Sequence, residues 1–233
     1  MTKSEVLAYL KERQDPRGIP HWTDEKEKRI GLMKSSGIGL TMLRKFAKQI
    51  GRDANLSRQL WKSRVYEMRI LSLLIDDPRT MTMEQAETQV DDLAGGYLAH
   101  VFSSCDATLA KTPFVVELAD KWVKSRDPVR KRCGYGLLYE ISKDKRKTAP
   151  DESYFMAHID RIAKHHAKQP VPLLMSMAGA LQGIGKRTKQ LNRAALKVAR
   201  TIGPIDFDPN GRCDPCDVAK HLTSPYVRKK LGV

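Results

Sequence analysis

Aromatic residues are scarce: Phe, Trp and Tyr make up 6% of the chain. Sandwiches and barrels draw on aromatic and β-branched residues for their half-buried strands, so the shortage argues against both. Cysteine is scarce too, at four residues in 233, which excludes a disulfide-stapled scaffold and makes a cytoplasmic protein the default. No run of about 18 apolar residues occurs, which excludes a transmembrane helix. Residues Met1 to Leu10 carry Glu5 beside their few apolar residues and lack the long apolar core of a secretory signal. Acids are outnumbered: 27 Asp and Glu against 42 Lys and Arg leave a net charge of +15. That surplus says nothing about fold, but it sets up a long-range field that recruits polyanions, of which nucleic acid is the commonest.

What is present is helical periodicity. Met42, Leu43, Phe46, Ala47 and Ile50 share one face, and Val65, Met68, Leu71, Leu74 and Ile75 recur at three and four. Asp76-Asp77-Pro78 stops the second of these, Ser57 is a candidate cap for the helix containing Leu60 and Trp61, and Thr82 opens another. Further helices are predicted at 98–110, 114–124, 129–142, 153–168, 172–182 and 188–202, joined by short Pro, Gly or Asp turns. Trp61-Lys62-Ser63-Arg64 is echoed by Trp122-Val123-Lys124-Ser125-Arg126, the two serines 62 residues apart. Many short helices with a faint repeat predict an all-α, curved α-solenoid of stacked helix pairs, each burying its apolar side only against its neighbours. The chain reads as a single domain over 1–233. Residues 1–30, charged and carrying Pro16 and Pro20, form a less ordered N-terminal extension.

The positive charge is clustered. Residues 121–147 hold ten Lys or Arg against Asp127, Glu140 and Asp144, and residues 186–200 hold six with no acid. In a solenoid such segments can merge into one groove that neutralises several phosphates. Arg130, Lys131 and Arg132 in the first segment and Lys186, Arg187 and Lys189 in the second are therefore candidate DNA contacts. An anionic membrane is the weaker alternative, because no basic helix carries an opposing aromatic insertion face. A helical scaffold for an acidic protein is a third class, in which the cations would scatter over the convex side.

Gly183-Ile184-Gly185-Lys186-Arg187-Thr188 fails as a P-loop, since Ala180 stands at the first glycine and Arg187 replaces the hydroxyl residue. It works as a tight turn whose glycines supply positive φ, and it resembles the hairpin of helix-hairpin-helix motifs, as Gly37-Ile38-Gly39 does less closely. Cys213 and Cys216 form one C-x-x-C with His221 nearby and no second pair, so neither a metal nor any other cofactor is expected. His165-His166 read as solvated. Asp106 is the carboxylate that stands out: Phe102 lies one turn before it on a predicted helix, which would put ring and carboxylate on one face.

From about Gly39 onward the chain resembles the DNA alkylation repair (AlkD-like) family of HEAT-like repeat DNA glycosylases. The carriers are Leu43 to Lys48, Leu60 to Ser63 with Glu67-Met68-Arg69, Phe102 to Asp106, Trp122 to Tyr135, Ala180 to Arg187 and Ala199 to Gly203. The resemblance implies a solenoid of HEAT-like helical repeats whose basic concave face grips duplex DNA, and excision of cationic N3- or N7-alkylated purines without a base-binding pocket; the protein is expected to act as a monomer without a cofactor. Such a purine is already a cationic leaving group. The protein then needs a carboxylate to stabilise the oxocarbenium sugar and aromatic faces to pack on the deoxyribose. Asp106 matches the family's carboxylate and Arg132 its phosphate-contacting arginine. Phe102 stands where the family has a tryptophan and can still offer a ring to the sugar; Gly179 stands at a second tryptophan position and offers none. The same departures suit an alternative, a non-catalytic binder of damaged or distorted DNA.

Overall fold

The computed structural model describes residues 1–19, 34–94, 96–207 and 213–232. It is helical throughout, and among the described residues the only β pairing is two isolated bridges, Lys34 with Val65 and Ile205 with Cys216. The elements are α1 (Lys3–Glu12), α2 (Leu40–Ile50), α3 (Ala54–Trp61), α4 (Tyr66–Ile75), α5 (Met83–Asp91), α6 (Gly96–Ser103) and a 3-10 turn (Thr108–Lys111). Then come α7 (Val115–Trp122), α8 (Pro128–Ile141), α9 (Glu152–His165), α10 (Val171–Ile184), α11 (Lys189–Ile202), α12 (Val218–Leu222) and α13 (Pro225–Leu231). The chain divides into two compact units, 1–115 and 116–233.

Each unit is built from helix pairs. In the first, α4 is buried almost all round, with every residue from Met68 to Ile75 buried except Arg69, and α2, α3 and α6 pack on it. Part of the N-terminal extension is a packed helix: α1 has a Thr2–Glu5 capping box, and its Val6 and Leu10 are fully buried. Pro20 and the residues after it, to 33, lie outside the described residues. The loop before α2 is seated by buried Glu67, which accepts from Ser35 Oγ at 2.8 Å and Ser36 N at 2.9 Å. In the second unit α8 lies against α10, and α9, α11 and α12 continue the stack.

The Lys-Ser-Arg echo has a structural counterpart. Trp61 ends α3 and Trp122 ends α7; the serine that follows accepts a backbone N–H from two residues on, Val65 N to Ser63 Oγ at 3.0 Å and Asp127 N to Ser125 Oγ at 3.1 Å. Both turns launch the next helix, so α3–α4 and α7–α8 share one serine-turn connection.

Three expectations change. Asp53, not Ser57, caps α3, accepting from Leu56 N at 2.8 Å, while Ser57 is buried and donates to Ser72 O. The glycines of 183–185 are not there for positive φ, since Gly185 is right-handed at φ −66°. They permit close approach: a Cβ on Gly183 would strike Ser142, the C-cap of α8, and one on Gly185 would come within 2.8 Å of Leu222 Cδ2. The helix predicted over 98–110 breaks after Ser103, and that break creates the site described next.

Candidate nucleic-acid interface

At the end of α6 two consecutive hydroxyls turn back on the helix: Ser103 Oγ donates to Ala99 O at 3.0 Å and Ser104 Oγ to His100 O at 2.6 Å. Serines that serve carbonyls four residues back compete with the backbone and weaken the helix there. The chain then enters the left-handed region at two non-glycine residues, Cys105 (φ 59°) and Asp106 (φ 67°). Such residues cost about 1–3 kcal/mol each and persist only where their surroundings hold them. Ala107, Thr108 and Leu109 are buried. Thr108 Oγ1 donates to Asp76 O at 3.0 Å and accepts from Arg52 Nη1 at 2.7 Å.

The outcome is a carboxylate pushed into solvent on a pinned turn. The Asp106 side chain is 66% exposed, with Oδ2 3.2 Å from Arg44 Nη2 on α2. Lys111 Nζ donates to the Asp106 carbonyl at 3.0 Å. An ion pair this exposed adds at most about 1 kcal/mol of stability; its effect is to fix where the carboxylate points. Tyr97 stands behind, its phenol pushed above the usual range by burial and by the neighbouring Cys105, against the opposing pull of Arg44.

Phe102 does not share that exposed face. It is fully buried, and its ring sits 6.4 Å from that of Trp61, tilted by 36°. The helix ends between Phe102 and Asp106, so the one-turn spacing that would align them does not hold. The expectation of a ring offered to a sugar is corrected: Phe102 is core.

The basic segments lie in the second unit. Asp127 caps α8 through Arg130 N at 2.7 Å with Pro128 behind it, and Arg130, Lys131 and Arg132 are half-buried along its first two turns. Arg187 is already partly engaged within the fold. Its Nη1 donates to Ser142 O and Asp144 O, both at 2.7 Å, and the guanidinium lies 4.3 Å over the Phe155 ring. It ties down carbonyls at the C-cap of α8 and just past it, a favourable place for a cation. Arg52 does the same in the first unit, donating to Leu74 O at 3.0 Å and Asp76 O at 2.7 Å at the end of α4.

Lys186 and Lys189 belong to a cluster that the sequence reading did not complete. α12 and α13 pack back on the α10–α11 turn: Asn192 Nδ2 donates to both Gly185 O (2.9 Å) and Leu222 O (3.3 Å). This brings Lys230 Nζ onto Lys186 O at 2.7 Å. Burial and then the charge of Lys230 lower the Lys186 ammonium, and burial, Lys145 and Arg187 lower Lys230. Cations gathered this closely, Lys230 beside Lys186 and Lys145 and Arg187 beside Lys230, make a local excess of positive charge suited to an anion. The overlooked signal was Ser224-Pro225 followed by Arg228-Lys229-Lys230, an N-cap, a proline at the first helical position and a basic last turn.

Gly179 sits in α10 with nothing within 4 Å of where a Cβ would be. Gly179→Ala is therefore expected to stabilise the protein by about 0.5–1 kcal/mol through helix propensity alone, read as a raised denaturant midpoint at unchanged slope. A loss of stability would show that the position is closed. Among the described residues no group of three His, Cys, Asp or Glu could hold a metal ion, His165 is exposed and His166 turns to the Ile162 and Ala163 carbonyls. No described helix is long and apolar enough to cross a membrane.

A search of curated proteins finds no match. Among solved structures, the chain is similar to a member of a new family of proteins related to the HEAT-like repeat DNA glycosylases with affinity for branched DNA structures. The TM-score is 0.82 at 18% identity, over 100% of this chain and 97% of that one. The HEAT-like repeat fold is therefore shared along the whole length. The family model for DNA alkylation repair enzymes matches residues 24–205, and with more than three quarters of its length so matched, the chain belongs to the DNA alkylation repair enzyme family.

Proposed function

We propose that this protein binds duplex DNA, alkylated or distorted, as a cytoplasmic monomer. We propose further that it excises cationic N3- or N7-alkylated purines, with Asp106 as the electrostatic catalyst and Arg132 positioning the backbone. The observation that carries this reading is Asp106 itself: an exposed carboxylate on a left-handed turn, anchored on both sides and aimed by Arg44. Two successive left-handed non-glycine residues that expose a charged side chain motivate a functional reading of the turn. As the glycosidic bond lengthens, positive charge passes from the purine to the sugar, and a fixed carboxylate near C1′ lowers the energy of that state and orients the attacking water. No acid is needed, because the base leaves neutral.

A second reading is favoured by a specific observation. With Phe102 buried and Gly179 bare, neither position offers an aromatic face to a lesion, which suits a non-catalytic binder of distorted DNA. The structural neighbour's affinity for branched DNA points the same way. Release of 7-methylguanine from methylated duplex by the wild-type protein, above the spontaneous rate, tests the choice; its absence, with binding intact, leaves the binder.

Binding has its own test. Each phosphate contact contributes about 0.9 to the slope of log affinity against log salt. Replacing Lys186, Lys189 and Lys230 together by Gln is expected to reduce that slope by about 2–3 and to weaken binding roughly tenfold or more near physiological salt. Fluorescence anisotropy across a salt series reads both quantities. An unchanged slope would remove this cluster from the DNA-binding surface.

A further inference from the structure

Three polar side chains beside Asp106 form an ordered relay that base excision does not use. Cys105 Sγ lies 3.2 Å from His100 Nε2, and Ser104 Oγ lies 3.3 Å from His100 Nδ1. Ser104 has one hydroxyl proton, and its shortest acceptor is the His100 carbonyl at 2.6 Å, against 3.8 Å to Cys105 Sγ. With that proton committed, Ser104 Oγ faces Nδ1 as an acceptor, so the ring hydrogen sits on Nδ1 and the Nε2 lone pair faces the thiol. Nucleophile, base and orienting group thus stand in hydrogen-bond sequence, the arrangement that activates a cysteine. The left-handed turn holds Cys105 partly exposed while His100 is exposed. The charged and titratable groups nearby include Asp106 with Arg44, Lys111 on the Asp106 carbonyl, and the neutral Tyr97 phenol.

We propose that Cys105 is a nucleophilic thiol, with His100 as its base and Ser104 as the positioning residue, and that it takes carbon electrophiles of the alkylating class. With iodoacetamide as probe, the Cys105 proton passes to His100 Nε2 and the sulfur forms a bond to the methylene carbon. The carbon–iodine bond breaks, iodide leaves with the electron pair, and His100 returns its proton to water. The product is a thioether one residue from Asp106. This site stands independently of any base-excision activity.

The other cysteines are internal references. Cys133 is buried, Cys213 is exposed, and Cys216 is half-buried with its thiol pushed up by burial and then by Asp217. Native protein is labelled with limiting iodoacetamide and each site quantified by mass spectrometry between pH 6 and 8. At pH 7 Cys105 is expected to react about tenfold faster than Cys213, and its rate to fall less steeply toward pH 6. His100→Gln is expected to lower the Cys105 rate about tenfold and to leave Cys213 unchanged; in guanidinium the sites should label alike. A Cys105 rate at or below that of Cys213 in the wild-type protein, or no change in a folded His100→Gln variant, overturns the proposal.

Discussion

Phe102→Ala is expected to destabilise the protein by about 3–5 kcal/mol, the cost of emptying a fully buried aromatic site. The ring has no exposure and closes against Trp61, whose indole N–H is held by Asp92 Oδ2 at 2.9 Å. That hydrogen bond limits how far Trp61 can move into the space left behind, so the cavity would persist. For a chain of this length the loss corresponds to a fall in melting temperature on the order of 10 °C. The comparison variant is Phe102→Leu, which retains most of the volume and should cost about 1–2 kcal/mol while leaving DNA affinity at the wild-type level. A Phe102→Leu protein of wild-type stability with weakened binding to an alkylated duplex would return the ring to the DNA-facing surface.

The residue's two readings differ because spacing and burial answer different questions. In the sequence, Phe102 and Asp106 lie four apart inside an apolar stretch, which on an unbroken helix puts them on one face. Ser103 and Ser104 break that helix, and only their hydrogen bonds to Ala99 and His100 reveal it. Serine inside a helical pattern is too ordinary to announce a stop, and left-handed Cys105 has no glycine to mark it. The all-α architecture was legible because it depends on period alone: α2, α4, α8 and α11 begin and end within two residues of where their apolar stripes place them. The Lys-Ser-Arg echo was legible as well, but its meaning, a serine turn launching the next helix, needed the backbone. Basic residues were found by counting, and counting cannot tell that Arg187 already gives its Nη1 to the Ser142 and Asp144 carbonyls. Charge clusters predict a field; the individual contacts depend on which donors the fold has already used.

Asp106→Asn separates field from fold more cleanly than any other change. Asparagine keeps the shape and is among the few residues that tolerate left-handed backbone, so the turn at φ 67° should survive. The Arg44 partner is lost, but that pair is 66% exposed on the aspartate side and worth at most about 1 kcal/mol. What disappears is one negative charge. If that charge stabilises the oxocarbenium sugar, single-turnover release of 7-methylguanine should slow by about 10²–10³, the usual cost of deleting one preorganised electrostatic group. DNA affinity should hold or tighten, because a carboxylate beside phosphates opposes binding. Rate and affinity then move in opposite directions, which no loss of folding can imitate, since unfolding weakens both. Equal rates in the two proteins would take Asp106 out of the chemistry, and release in neither, with salt-sensitive binding intact, would make the pinned carboxylate a feature of a DNA binder.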